Sequence, residues 1–183
     1  LDTSGDGLHK RGYRRNATGA PIKETLAAAI ADLGRVRRDT LVQDPFCGSG
    51  TMVIEAAQKA MNIAPGLRRR FCAEHYGFIP QKVWAEQREK ALSEVRMDAA
   101  FEGRGWDIDP AAVELATQNA KLAGVGERCH FEVADVADFV PDVAATVLTN
   151  PPYGERLGDL ETAAKLAGVL GSRWEQNPGQ GLY

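Results

Sequence analysis

No stretch of this 183-residue chain approaches the roughly 18 consecutive apolar residues that a membrane span needs. Its first fifteen residues, LDTSGDGLHKRGYRR, contain no apolar signal region, so nothing in them marks the chain for export. Cysteine is scarce as well: Cys47, Cys72 and Cys129 are odd in number and far apart. That excludes a disulfide framework and a zinc site, and it points to a reducing cytoplasm. Repeats and low-complexity tracts are missing, and the three histidines show no spacing that would pair them. What remains, 44% hydrophobic and 26% charged, suits one soluble domain with a sizeable core.

The net charge of −3 is unevenly spread. Residues 1–38 hold eight Lys/Arg against four Asp/Glu, whereas residues 98–183 hold six against fourteen. The basic front, Lys10, Arg11, Arg14 and Arg15 around Tyr13, and the triplet Arg68-Arg69-Arg70 are candidates for contact with phosphates. A solvated surface explains the same clustering.

Apolar spacing predicts alternating strands and helices. Pro21 opens a helix carrying Ile22, Leu26, Ile30 and Leu33, with Gly34 as its C-cap. A strand over 40–43 ends at Asp44-Pro-Phe-Cys-Gly-Ser-Gly50, and a second helix covers 51–61. Residues 62–80 are irregular, and a third helix runs over 81–100 with Trp84, Arg88, Leu92 and Val95 on one face. Strands follow at 104–109, 129–133 and 143–148, with a helix from Pro110 to Gly124 after the first of them. This order implies right-handed crossovers and an α/β fold with a mostly parallel twisted sheet and helices on both faces. In such sheets ligands bind beyond the carboxyl ends of the strands. The chemistry-bearing residues lie there.

At the first exit, Gly48 and Gly50 let the backbone turn sharply before a helix N-terminus. The third glycine of a dinucleotide fingerprint is replaced by Val53, and no Gly-Lys-Ser/Thr is present, so neither a pyrophosphate loop nor a P-loop fits. Asp44 beside the loop repels phosphate and suits a cation. At the second exit, Asp107 is placed to accept hydrogen bonds from ribose hydroxyls, with Ile108 beside it, while Asp109 is a helix cap. At the third, Asp135, next to Val136, either accepts from an adenine amino group or is a turn residue. Adenine, ribose and a cationic amino-acid end without phosphate together describe S-adenosylmethionine.

The fourth exit is Thr149-Asn-Pro-Pro-Tyr-Gly-Glu-Arg156. Pro151 and Pro152 hold the residues before them extended, so Asn150 cannot curl into a helix. The Asn150 oxygen and a carbonyl of the turn then serve as two acceptors for an exocyclic amine whose lone pair attacks a methyl group. Tyr153 offers a face on which a base can stack. A rigid turn with a core tyrosine is the bland alternative.

With LHKRGYR (8–14), APIKETLA (20–27), DPFCGSGT, NIAPGLRRRF (62–71), GWDIDP and NPPYGERLG (150–158), the chain resembles the catalytic domain of the THUMP-linked class I RNA methyltransferases. That family includes the bacterial large-subunit rRNA guanine-N2 methyltransferase. The resemblance implies a Rossmann-like class I methyltransferase fold. It places the methionine end of the cofactor near Asp44, Phe46, Gly48 and Gly50, ribose on Asp107 and adenine on Asp135. The target amine falls on Asn150 and Pro151, and Pro21 and Glu24 fall in the element that closes over the cofactor. It also implies that residues 1–20 are a basic linker from an N-terminal RNA-binding domain, and that residues 21–183 are a methyltransferase domain incomplete at its C-terminal end. The expected reaction is metal-free transfer of a methyl group from S-adenosylmethionine to N2 of guanine in 23S rRNA. Adenine N6 in RNA or DNA is the alternative target, and a non-catalytic RNA-binding module with the same fold is the alternative class.

Overall fold

A computed structural model of the chain describes residues 3–14, 21–153 and 159–183. Five strands form one sheet: β1 (Leu41–Asp44), β2 (Glu102–Asp107), β3 (Cys129–Val133), β4 (Ala145–Val147) and β5 (Gly181–Leu182). All pairings are parallel, in the order β3-β2-β1-β4-β5. The chain steps outward from β1 to β3 and then returns to the other side of β1 at β4. The carboxyl ends of β1 and β4 therefore flank the switch point, the usual ligand position of an open parallel sheet.

Five α-helices occur among the described residues: α1 (Glu24–Leu33), α2 (Thr51–Ala60), α3 (Gln81–Ser93), α4 (Pro110–Ala123) and α5 (Asp159–Gln176). Core residues from α1, α2 and α4 pack with Val42 and Phe101 on one face. On the other, Leu166, Val169, Leu170 and Trp174 of α5 meet Phe46, Trp106, Phe139 and Val147. Helix α2 is buried on nearly every side. Its N-cap, Gly50, adopts φ 79°, and a Cβ there would stand 2.9 Å from Cβ of Ala116 on α4. Pro110 at the start of α4 and left-handed Gly124 after its end set the limits that the sequence suggests.

Three predicted elements differ in detail. The buried face of α1 is Glu24, Ala27 and Ala31, while Leu26 and Leu33 are 55% and 69% exposed. Small residues win this interface because alanines on both α1 and α2 allow the helices to approach closely. Helix α3 ends at Ser93 rather than near residue 100, because the chain leaves it so that the Arg96 amide can donate to the Met61 carbonyl at 2.8 Å. None of its residues is fully buried. Strand β4 begins at Ala145, and Val143 ahead of it is exposed.

Residues 3–14 form a strap along α2. The Ala73 amide donates to the Thr3 carbonyl at 3.1 Å beyond the C-terminal end of α2. Tyr13, only 1% exposed, reaches Glu55 at mid-helix, and Arg14 reaches Thr51 at its start. The strap thus belongs to the body of the domain. Among the described residues, no helix is long and apolar enough to cross a membrane.

Candidate functional site

The exits of the first four strands open on one cavity of about 630 Å³, within the range of small-molecule sites. Asp44, Phe46 and Gly48 come from β1 and its loop, and Asp107 and Ile108 from the end of β2. Asp135 and Val136 follow β3, and Asn150 through Tyr153 follow β4. Pro21 and Ile22, just ahead of α1, complete this part of the wall.

Asp44 is buried, and its Oδ1 accepts from the Thr149 hydroxyl at 2.6 Å and from the Phe46 amide at 3.0 Å. Burial pushes its carboxyl up to about 7, and the bonds from Thr149 and Phe46 oppose the rise. The Asp44–Thr149 bond also ties the β1 exit to the β4 exit, directly before Asn150. Thr149 was not singled out by the sequence, where a threonine ahead of the proline motif reads as one more strand residue.

The Asp107 carboxylate holds two backbone amides, Gly48 on Oδ2 at 2.9 Å and Asp109 on Oδ1 at 3.0 Å. It therefore fixes the glycine loop, and the remaining lone pair on each oxygen is left for a ligand. Gly48 has φ 51°, and a Cβ there would meet no protein atom within 4 Å, so the need for glycine lies in the backbone angle. Asp109 caps α4 by accepting from the Ala111 amide at 2.9 Å. Asp135 accepts from Ala137 at 2.8 Å as the cap of a single 3-10 turn, Val136–Asp138, and it also faces the cavity. Ile108 is 70% exposed at the rim, an apolar surface suited to one face of a planar ligand. Tyr153 is exposed on the opposite side, with Pro152.

Two residues expected at the cofactor do not line the cavity. Glu24 is buried behind it, paired with Arg14 at 3.2 Å. Gly50 serves packing between α2 and α4 instead. Arg14 also donates to the Ile22 carbonyl at 3.0 Å and the Thr51 hydroxyl at 3.3 Å, so these two buried side chains fix the element that carries Pro21. The expected basic surface is only partly a surface: Arg11 and Arg14 turn inward to Glu55 and Glu24, and Arg69 is buried. Arg15, together with Gly154 to Gly158 of the fourth motif, lies outside the described residues.

Helix α5 supplies a wall that the sequence did not announce. Thr162, Ala163 and Leu166 recur at helical spacing and close the cavity beside Tyr153. Among the described residues no lysine, arginine or histidine lines the cavity, while three aspartates do. No group of three or more His, Cys, Asp or Glu placed to hold a metal ion occurs among them either.

Residues 11–181 match the family described as RMKL-like, methyltransferase domain. The Ribosomal RNA large subunit methyltransferase K/L of Shewanella amazonensis is 44% identical over 98% of this chain and 26% of its own length. A solved protein of Listeria monocytogenes, described as a predicted N6-adenine-specific DNA methylase, is 46% identical with a TM-score of 0.90, over 97% of this chain and 47% of that one. SMU.472, a methyltransferase solved in complex with S-adenosylhomocysteine, is 37% identical with a TM-score of 0.88, over 96% of this chain and 46% of that one. This chain thus spans half or less of these relatives. The chain belongs to the RMKL-like methyltransferase domain family.

Proposed function

We propose, from this membership and from the cavity, that the chain binds S-adenosylmethionine and transfers its methyl group to an exocyclic amine of an RNA base, N2 of guanine in 23S rRNA. One observation carries the proposal: the loop Asp44–Gly48 and the turn Asn150–Tyr153 open on the same cavity across the switch point. The donor set fits the cofactor. Three carboxylates, with no cation among the described lining residues, suit a nucleoside with an ammonium end better than a dinucleotide or nucleoside triphosphate. The solved relative complexed with S-adenosylhomocysteine supports the same choice, and the Shewanella relative's name supports ribosomal RNA.

When bound, the cofactor supplies a methyl group activated by a sulfonium. The side chains do the rest by position. Asp107 receives the ribose hydroxyls, Asp135 the adenine amino group, and Ile108 one face of the ring. Asn150 and the Pro151 carbonyl would accept the two N–H groups of the target amine and leave its lone pair facing the methyl. As the nitrogen–carbon bond forms the sulfur–carbon bond would break, adenosylhomocysteine would leave neutral, and the proton shed by the amine would pass to water. Tyr153 stacks on the base, which is flipped out where the target lies in a helix. No nucleophilic side chain is required. Cys47 fits this, since burial pushes its thiol up and holds it protonated.

Single-turnover transfer by the full-length protein tests the proposal. Asn150→Ala should leave cofactor affinity nearly unchanged and slow transfer on the order of 10²–10³-fold, with a normal thermal melt. An unchanged rate would return the prolines to a stiff turn. A second reading, N6 of adenine, is favoured by the description of the Listeria structure. Nucleoside mass spectrometry of the methylated RNA separates the two.

A further inference from the structure

A second concavity, of about 470 Å³, is lined by the insert between α2 and α3 and by α3. Arg68 donates to the Leu122 carbonyl near the C-terminal end of α4, and the segment that carries it follows the C-terminal end of α2. Both helices run back from the strand exits, so this basin sits at the amino ends of the strands. It shares no residue with the cofactor cavity. Helix α2, about 15 Å long at 1.5 Å per residue, separates them.

The basin is built from Arg68, Arg69, Arg70 and Arg88, with His75 and Gln81 at its sides and Glu74 as its one carboxylate. Glu74 is engaged by Arg88 at 2.6 Å and by the Phe71 amide at 2.8 Å. Four guanidinium groups against one carboxylate leave three positive charges, in a chain whose net charge is −3. Among the described residues, Arg68, Arg69 and Arg70 have no ion-pair partner.

The scaffold beneath these charges is firm. Arg69, 8% exposed, donates to the Gly7 carbonyl at 3.0 Å and to those of Ser4 and Asp6, and lies 5.0 Å over the Phe71 ring. Its buried Nε has no partner. Phe71 stacks in turn on Trp84 of α3. Arg88 is held by the carbonyls of Leu67 and Arg69 at 3.0 and 2.9 Å. Like charges packed this closely repel, and a bound anion offsets that repulsion. Between the lining residues His75 and Gln81 in the chain, Phe78 is 76% exposed and pairs with Tyr76, their ring centroids 5.6 Å apart. Guanidinium groups carried on a firm scaffold, with an exposed aromatic close by in the chain, are the combination that takes a phosphodiester together with a neighbouring base.

We propose that this basin is an RNA exosite, in which Arg68, Arg70 and His75 hold backbone phosphate away from the target nucleotide and Phe78 stacks on an adjoining base. The proposal rests on RNA as the substrate and adds a second point of attachment outside the cofactor cavity. It explains the insert 62–80 and α3, which the methyl-transfer site does not use.

The test is RNA binding by the full-length protein across a salt series, followed by fluorescence anisotropy. The Arg68→Gln/Arg70→Gln double variant should weaken binding about tenfold and lower the slope of log affinity against log salt by about one to two, near one per lost phosphate contact. Arg70→Gln alone should give about half of that effect, and Phe78→Ala a several-fold loss with the slope unchanged. Adenosylhomocysteine binding and the melting temperature should not move in any of the three. An unchanged salt slope in a normally folded double variant overturns the exosite. So does displacement of the RNA by poly-glutamate at equal charge concentration, which would make the basin an acidic-peptide site. If the parent protein neither binds nor methylates RNA, the methyl-transfer reading fails first. If the parent methylates RNA and only the slope is unmoved, the exosite alone fails.

Discussion

Arg11 and Arg14 on the strap and Arg68 to Arg70 in the insert occupy equally basic runs of sequence, yet the fold treats them in opposite ways. Arg11 meets Glu55 at 3.4 Å and Arg14 meets Glu24 at 3.2 Å, with all four side chains at least 86% buried. The insert trio has no acidic partner among the described residues. Charge density along a sequence therefore does not measure the charge available at a surface. What separates the groups is whether a carboxylate far away in the chain comes back to meet them, as Glu55 does across 44 positions.

The comparison breaks most visibly at Arg14. Arg14→Ala leaves the buried Glu24 carboxylate without its cation, so unfolding in denaturant should show a loss of about 3–5 kcal/mol. A loss near zero would place Arg14 with the insert arginines after all. Tyr13→Phe removes the hydroxyl that donates to Glu55 at 3.0 Å. A hydrogen bond to a charged group is worth about 1.5–3 kcal/mol, and the same denaturation experiment should read a loss of that size.

Asp44 sharpens the contrast from the acidic side, because it is buried without an arginine. Its carboxyl is pushed from an ordinary 3.8 up to about 7, chiefly by burial. The folded state then binds more protons than the unfolded state between those values. Stability should fall as pH rises through that window and level off above it. In Asp44→Asn this part of the slope disappears, a difference of up to roughly 1 kcal/mol per pH unit, read from denaturation midpoints at a series of pH values. The smallest effect belongs to Arg70→Ala. It should change stability by no more than about 0.5 kcal/mol, and a larger loss in thermal unfolding would reveal a partner that the structure does not show.

The exits were the legible part of the molecule. Asp44 and Asp107 end their strands, Asp135 and Asn150 lie two and three residues beyond theirs, and a parallel sheet brings strand ends together whatever the helices do. The element order was legible for the same reason, since Pro110, Gly124 and the glycines around Ser49 punctuate it locally. Contributions that depend on packing were not. Thr162 and Leu166 reach the cavity only because α5 crosses the second face of the sheet, and nothing in their own neighbourhood says so. On α1 the larger leucines suggested the buried face, but close approach to α2 favours alanine. Glu24 was expected in the element that closes over the cofactor, and its ion pair with Arg14, ten positions away, has no signal in the sequence.

The protonation of Asp44 also bears on heat. With its carboxyl pushed up to about 7 by burial, Asp44 exchanges its proton near neutral pH. A ligand whose ammonium meets Asp44 selects the carboxylate, so each binding event expels a fraction of a proton into the buffer. The calorimetric enthalpy of binding then tracks the ionisation enthalpy of that buffer: phosphate and Tris give different heats for one and the same affinity, the difference counts the net protons exchanged, and the part lost in Asp44→Asn belongs to Asp44.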